Sequence, residues 1–136
     1  MKVSFVAGFG PITREADAAH AFWRDGLGIE FAEPAPGYFT NDDLDGVKAF
    51  AMWPLSQAAQ ACFGSDEWPA GVAVPQASVE FDVADEAGVQ AAADELVAAG
   101  YELLHPVRRE PWGQTVVRLL SPEGAIVGIS YVPSMH

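Results

Sequence analysis

Val79-Glu80-Phe81-Asp82-Val83 alternates apolar and polar residues without a break. Strict alternation places successive side chains on opposite faces of a strand, so one face is apolar and the other acidic. Asp85 follows as an N-cap. Val89, Ala92, Ala93, Leu96 and Val97 then recur at helical spacing until Gly100 provides a stop. The stretch therefore predicts a strand followed directly by a helix from about Glu86 to Ala99. Val79, Phe81 and Val83 are expected to pack beneath Val89, Ala93, Leu96 and Val97. Ser78, Glu80 and Asp82 then face the opposite side. Downstream, strands are predicted at Gly100 to Leu103, Gln114 to Leu120 and Ala125 to Val132, with Pro122-Glu123-Gly124 turning between the last two.

The same grammar appears upstream. A first helix is predicted from about Arg14 to Asp25, with Thr13 as a possible N-cap and Gly26 and Gly28 behind it. Ala16, Ala19, His20, Trp23 and Leu27 give its helical stripe. Strands are expected at Val3 to Ala7, Gly28 to Phe31, Gly37 to Thr40 and Val47 to Trp53. Strand, helix, strand, strand, strand is thus written twice, over about 1–54 and 76–136. Residues 55–75 join the copies, with Pro69, Gly71 and Pro75 as linker signals and a short helix at Ser56 to Cys62. An internal repeat is a stronger statement about fold than any single element.

Composition narrows the function. The 136 residues carry 7 Lys+Arg against 19 Asp+Glu, a formal charge of −12. Seven scattered cations do not outweigh nineteen carboxylates on a phosphate backbone or an anionic membrane, so neither nucleic acid nor membrane is an expected partner. No apolar run approaches the roughly 20 residues of a membrane span. The N-terminus lacks a secretory h-region, and the lone Cys62 excludes an intrachain disulfide. A cytoplasmic protein with a core or interface thiol is expected.

Phe22-Trp23-Arg24-Asp25-Gly26-Leu27-Gly28 resembles the aromatic-aromatic-x-x-x-Leu-Gly phrase that ends the first helix in the vicinal oxygen chelate superfamily. Ser121-Pro122-Glu123-Gly124 resembles its Asp-Pro-Asp-Gly turn before the final strand, and Val79 to Asp85 the opening of its second module. The superfamily includes glyoxalase I, extradiol dioxygenases, fosfomycin-resistance enzymes and bleomycin-resistance proteins. The resemblance covers nearly the whole chain. It implies an α+β fold, with two tandem βαβββ modules forming a curved mixed sheet around a cleft, commonly as a homodimer.

Enzymes of this superfamily hold a divalent metal with donors from the first and last strand of each module. Such a site needs His nitrogen or carboxylate oxygen converging from those strands. Val3 to Phe9, Val47 to Trp53 and Ala125 to Val132 contain no His, Asp, Glu, Gln or Cys. Where the family places its final glutamate stands Gly128. Only the strand carrying Ser78, Glu80 and Asp82 offers donors. No metal and no other cofactor is therefore expected, and no catalytic residue is assigned. The metal-free bleomycin-resistance branch, whose members bind a drug stoichiometrically, is the relative this pattern most resembles.

Alternation assigns the concave wall. Ser78, Glu80, Gln114, Arg118, Gly128 and Ser130 are expected to face it. Gly128 either leaves room for a flat ligand or relieves sheet curvature. Glu80 and Arg118 either orient a polar ligand or form an internal ion pair. Trp23, Phe5, Phe9, Phe31 and Phe81 are assigned to the core. Tyr38, Phe39, Phe50, Met52, Trp53, Trp68 and Trp112 remain as a candidate lining for an aromatic or apolar guest, the loop tryptophans serving as clamps or as a dimer seam. The histidines carry no motif, and no nucleophile elbow or phosphate-binding glycine loop is present.

The expectation is a metal-free homodimer that sequesters a planar aromatic natural product, such as an antibiotic. The negative charge favours a cationic guest. A lyase, isomerase or dioxygenase using an unusual metal site or Glu80 as base is the alternative, and a partner-binding sensor the third.

Overall fold

The structure is a computed structural model and describes residues 9, 11, 15–41, 43–47 and 54–136. Helix α1 (Ala16–Ala21) runs straight into a π turn, Phe22–Gly26. The backbone N–H of Leu27 donates to the carbonyl of Phe22 at 3.2 Å, five residues back. This wider turn lets the adjacent Phe22 and Trp23 both enter the core with Ala19. The segment then closes as a Schellman cap: the Ile29 amide reaches the Trp23 carbonyl and Gly28 adopts φ +71°. Gly28 and Ile29 are thereby spent on ending the helix. The strand expected from Gly28 begins only at Ala32, where β1 (Ala32–Ala35) pairs antiparallel with β2 (Tyr38–Thr40). The strands expected at Val3 to Ala7 and across most of Val47 to Trp53 lie outside the described residues.

Helix α2 (Leu55–Phe63) occupies the connection between modules and ends at left-handed Gly64. Every residue from 76 to 136 is described. The second module comprises β3 (Ser78–Asp82), α3 (Glu86–Ala98), β4 (Arg108–Arg109), β5 (Thr115–Leu120) and β6 (Ile126–Tyr131). Spatial order is β3-β6-β5-β4, with β3 parallel to β6 and the other neighbours antiparallel. The Asp85 carboxylate accepts from the Gly88 amide at 2.8 Å and caps α3 as expected. At the other end the Tyr101 amide bonds back to Leu96, wrapping residues 100–101 around the helix terminus. The expected strand at Gly100 to Leu103 is consequently reduced to a single bridge between Leu103 and Leu119.

The sheet carries a core on each face. Under α3, Val89, Ala93 and Leu96 meet Val117, Leu119, Val127 and Ile129, joined by Ala19, Phe22 and Trp23 from the first module. Val79, Phe81, Val83 and Phe31 pack around this cluster, matching the face assignment. Val97 does not: at the edge of the stripe it is 56% exposed. Phe9, expected in the core, is 53% exposed and belongs to neither cluster. On the opposite face Ala58 and Cys62 of α2 pack on Ile126, with Phe63, Trp68, Leu104 and Leu120 around them. Among the described residues no helix is long and apolar enough to cross a membrane.

Candidate functional site

Three residues stand in one row across the sheet on the face covered by α2. Gly128 of β6 is paired with Glu80 of β3 on one side and with Arg118 of β5 on the other. A Cβ on Gly128 would lie 2.7 Å from Cγ of Glu80. The missing side chain is therefore the space through which Glu80 crosses the central strand. Arg118 reaches it from the far side, its Nη2 3.4 Å from Glu80 Oε1. The backbone of Gly128 has ordinary strand geometry, so its smallness serves clearance here rather than conformational freedom.

Arg118 is only 1% exposed, and a guanidinium so enclosed needs anionic partners. Its second is Glu110, whose Oε1 accepts from Nη1 at 2.6 Å. Arg108 bonds the same oxygen from Nη2 at 3.1 Å and from Nε at 3.3 Å. Arg108 Nη2 also reaches the carbonyl of Ala61, tying the last turn of α2 to the network. Burial by itself raises the Glu110 carboxyl, but the hydrogen bonds from Arg118 and Arg108 outweigh it and leave the group below its ordinary value. Two guanidiniums face two carboxylates, so the network is internally neutral.

At its other end the network opens to solvent. Gln114 Nε2 donates to Glu80 Oε2 at 2.6 Å, and Gln114 Oε1 accepts from the Trp112 indole N–H at 2.9 Å. A carboxylate only accepts and an indole only donates, which fixes the orientation of this amide. Trp112, 63% exposed, is thus joined through Gln114 to the partly exposed Glu80 side chain.

The other sequence-assigned residues are dispersed. Trp68 donates to the Val72 carbonyl at 3.1 Å and packs edge-on against Phe63, so it anchors the connection rather than standing free as a clamp. Phe39 stacks on His20 with ring centroids 3.9 Å apart. Ser78 opens β3 beside Ile126. Ser130 donates to Asp82 Oδ1 at 2.9 Å, while His136 Nε2 lies 2.6 Å from Asp82 Oδ2. The carboxylate stands between hydroxyl and imidazole, the wrong order for a nucleophilic triad. Phe50, Met52 and Trp53 lie outside the described residues, as does the side chain of Tyr38. Burial pushes the Cys62 thiol up to about 11, which keeps it protonated and unreactive.

Glu110 and Arg108 escaped the sequence reading, although a signal was present. Folding the chain back at Pro111-Trp112-Gly113 sets Glu110 opposite Gln114 and Arg108 opposite Val116. Opposed residues share a face, so both fall beside Arg118.

Residues 9–129 match the family model described as the glyoxalase/bleomycin resistance protein/dioxygenase superfamily. The chain belongs to that superfamily. Solved structures with the superfamily fold include a protein of unknown function from Agrobacterium tumefaciens str. C58, 21% identical with TM-score 0.62, the match covering 97% of each chain. A superfamily protein from Nocardioides is 22% identical with TM-score 0.57, covering 88% of this chain and 77% of that one. A lactoylglutathione lyase from Agrobacterium tumefaciens is 24% identical with TM-score 0.56, covering 88% and 86%. At these identities the likeness is one of superfamily fold. Among curated proteins no relative matches the chain.

The divalent metal of superfamily enzymes does not fit the residues found here. Glu80 is the one carboxylate in the row, and both its oxygens are already engaged. Its neighbour across β6 is a cation, and the position between them is a glycine. Among the described residues no three His, Cys, Asp or Glu side chains converge as a ligand shell.

Proposed function

We propose that the protein binds a planar aromatic small molecule on the Trp112 side of the concave face and sequesters it without a metal and without turnover. The observation that carries this reading is the closed row Glu80–Gly128–Arg118. A fixed guanidinium satisfies the carboxylate that would otherwise be the most available donor. What stays accessible is a large rigid indole joined through Gln114 to a partly exposed carboxylate, a surface suited to stacking and one polar contact. Holding a toxic antibiotic by mass action, as a homodimer, is the sharpest form of the proposal, and the charge of −12 favours a cationic guest.

Metal analysis of the purified protein and titration with planar aromatic antibiotics, followed by tryptophan fluorescence, test it. The expected result is saturable quenching in chelator-treated protein, lost in Trp112→Ala without a change in melting temperature. One tightly held divalent ion per chain that restores turnover of a bound compound would overturn the proposal. So would a Trp112→Ala variant that binds normally but no longer dimerises, which would make the ring part of the subunit seam.

A further inference from the structure

A second groove lies on the other side of the sheet, where the end of the first helix faces α3. We infer that this groove is a separate binding site for an organic cation with a flat apolar body. Its volume is about 840 Å³, within the roughly 300–1,000 Å³ of small-molecule sites. The floor is apolar: Leu27, Ile29, Phe81, Val83 and Leu96. The groove stays open because the residues at its edges are small. Gly28 has nothing within 4 Å of where a Cβ would stand, and Ala91 and Ala92 line the wall from α3.

The rim supplies the charge preference. Glu30, Asp43 and Glu95 border the groove, and its described lining contains no Lys, Arg or His. Asp25, also at the rim, is tied to Arg24 at 2.7 Å, and Asp82 turns its carboxylate to Ser130 and His136 on the other face. Glu30, Asp43 and Glu95 have no ion-pair partner among the described residues. Carboxylates of one sign around a low-dielectric floor attract a cation and repel an anion of the same shape. An apolar body removes the floor from water while the positive group stays at the carboxylate rim. The site does not depend on the concave-face proposal, because Phe81 and Ile129 point to the face opposite Glu80 and Gly128.

The full-length protein is titrated with ethidium, a planar aromatic cation, and with anilinonaphthalene sulfonate, an apolar aromatic anion, at low and high salt. Ethidium is expected to bind more tightly than the anion, with affinity falling as salt rises. The double variant Glu30→Gln/Glu95→Gln is expected to weaken ethidium roughly tenfold. Ala91→Phe, at an exposed helix position, is expected to abolish binding by filling the groove. Trp112→Ala is expected to leave it unchanged. Should Ala91→Phe unfold, the double variant and the salt dependence decide. Equal or tighter binding of the anion overturns the inference. So does ethidium binding that survives Ala91→Phe in folded protein, or that disappears only in Trp112→Ala. If Ala91→Phe instead converts a dimer to a monomer in sedimentation, a second copy covers the groove and the inference fails.

Discussion

Replacing Arg118 with Met removes the guanidinium while keeping much of the stem. Glu110, only 8% exposed, loses its 2.6 Å partner, and Glu80 loses its cross-strand contact. Removing one member of a buried pair costs about 3–5 kcal/mol, because the remaining charge stays desolvated. Arg108 still donates to Glu110 and Glu80 is partly hydrated, so a loss of about 3 kcal/mol at pH 7.5 is expected. For a chain of this size that corresponds to a fall in Tm of about 10 °C. The pH dependence is the stronger test. In the parent, Glu110 titrates below its ordinary value. Its stabilising contribution is present above the unfolded pKa of about 4.3 and fades as pH falls through the folded value. In the variant, burial is opposed by Arg108 alone and lifts the folded pKa above the unfolded one. Protonation then favours the folded state, and the deficit shrinks on acidification. Urea unfolding of both proteins at pH 7.5 and 5 measures this directly. A deficit under about 1 kcal/mol, the size of an exposed pair, or one that grows toward pH 5, would refute the reasoning.

Gly128→Ala ordinarily benefits a strand by roughly 0.5–1 kcal/mol, but here the new methyl meets Glu80 and the sign reverses to a loss of about 1–3 kcal/mol; stabilisation in a denaturant titration would contradict the crowding. Asp85→Ala removes the cap on Gly88 and should cost about 1 kcal/mol, with Asp85→Ser restoring most of it. Cys62, with its thiol raised to about 11, should resist Ellman's reagent at pH 8 until urea unfolds the chain. Labelling at the rate of a free thiol would show that α2 is not seated on Ile126.

The second module was legible because each of its signals is local. The alternation at Val79 to Val83, the cap at Asp85 and the stop at Gly100 each act within a few residues. Their faces follow from parity, which is why Glu80, Gly128 and Arg118 were placed on one wall. What parity does not contain is which neighbours close the row. Glu110 and Arg108 come from the far arm of a hairpin, and α2 covers the wall from a connection with no periodic tie to it. The π turn at Phe22–Gly26 was equally hidden, since the helical stripe through Ala19 and Trp23 assumes constant pitch and so passes over Phe22. The strands expected after each helix were overextended for a shared reason. Gly28 and Gly100 are committed to left-handed caps, at φ +71° and +90°, before any strand begins.

The Arg118 guanidinium is carried on the backbone and not recruited from solution. A bound divalent ion can be stripped by a chelator, exchanged for a competing ion or left unfilled when supply runs short. A side chain in that row is present in every folded copy, at fixed stoichiometry, in any medium. The electrostatic state of this wall is therefore set at translation.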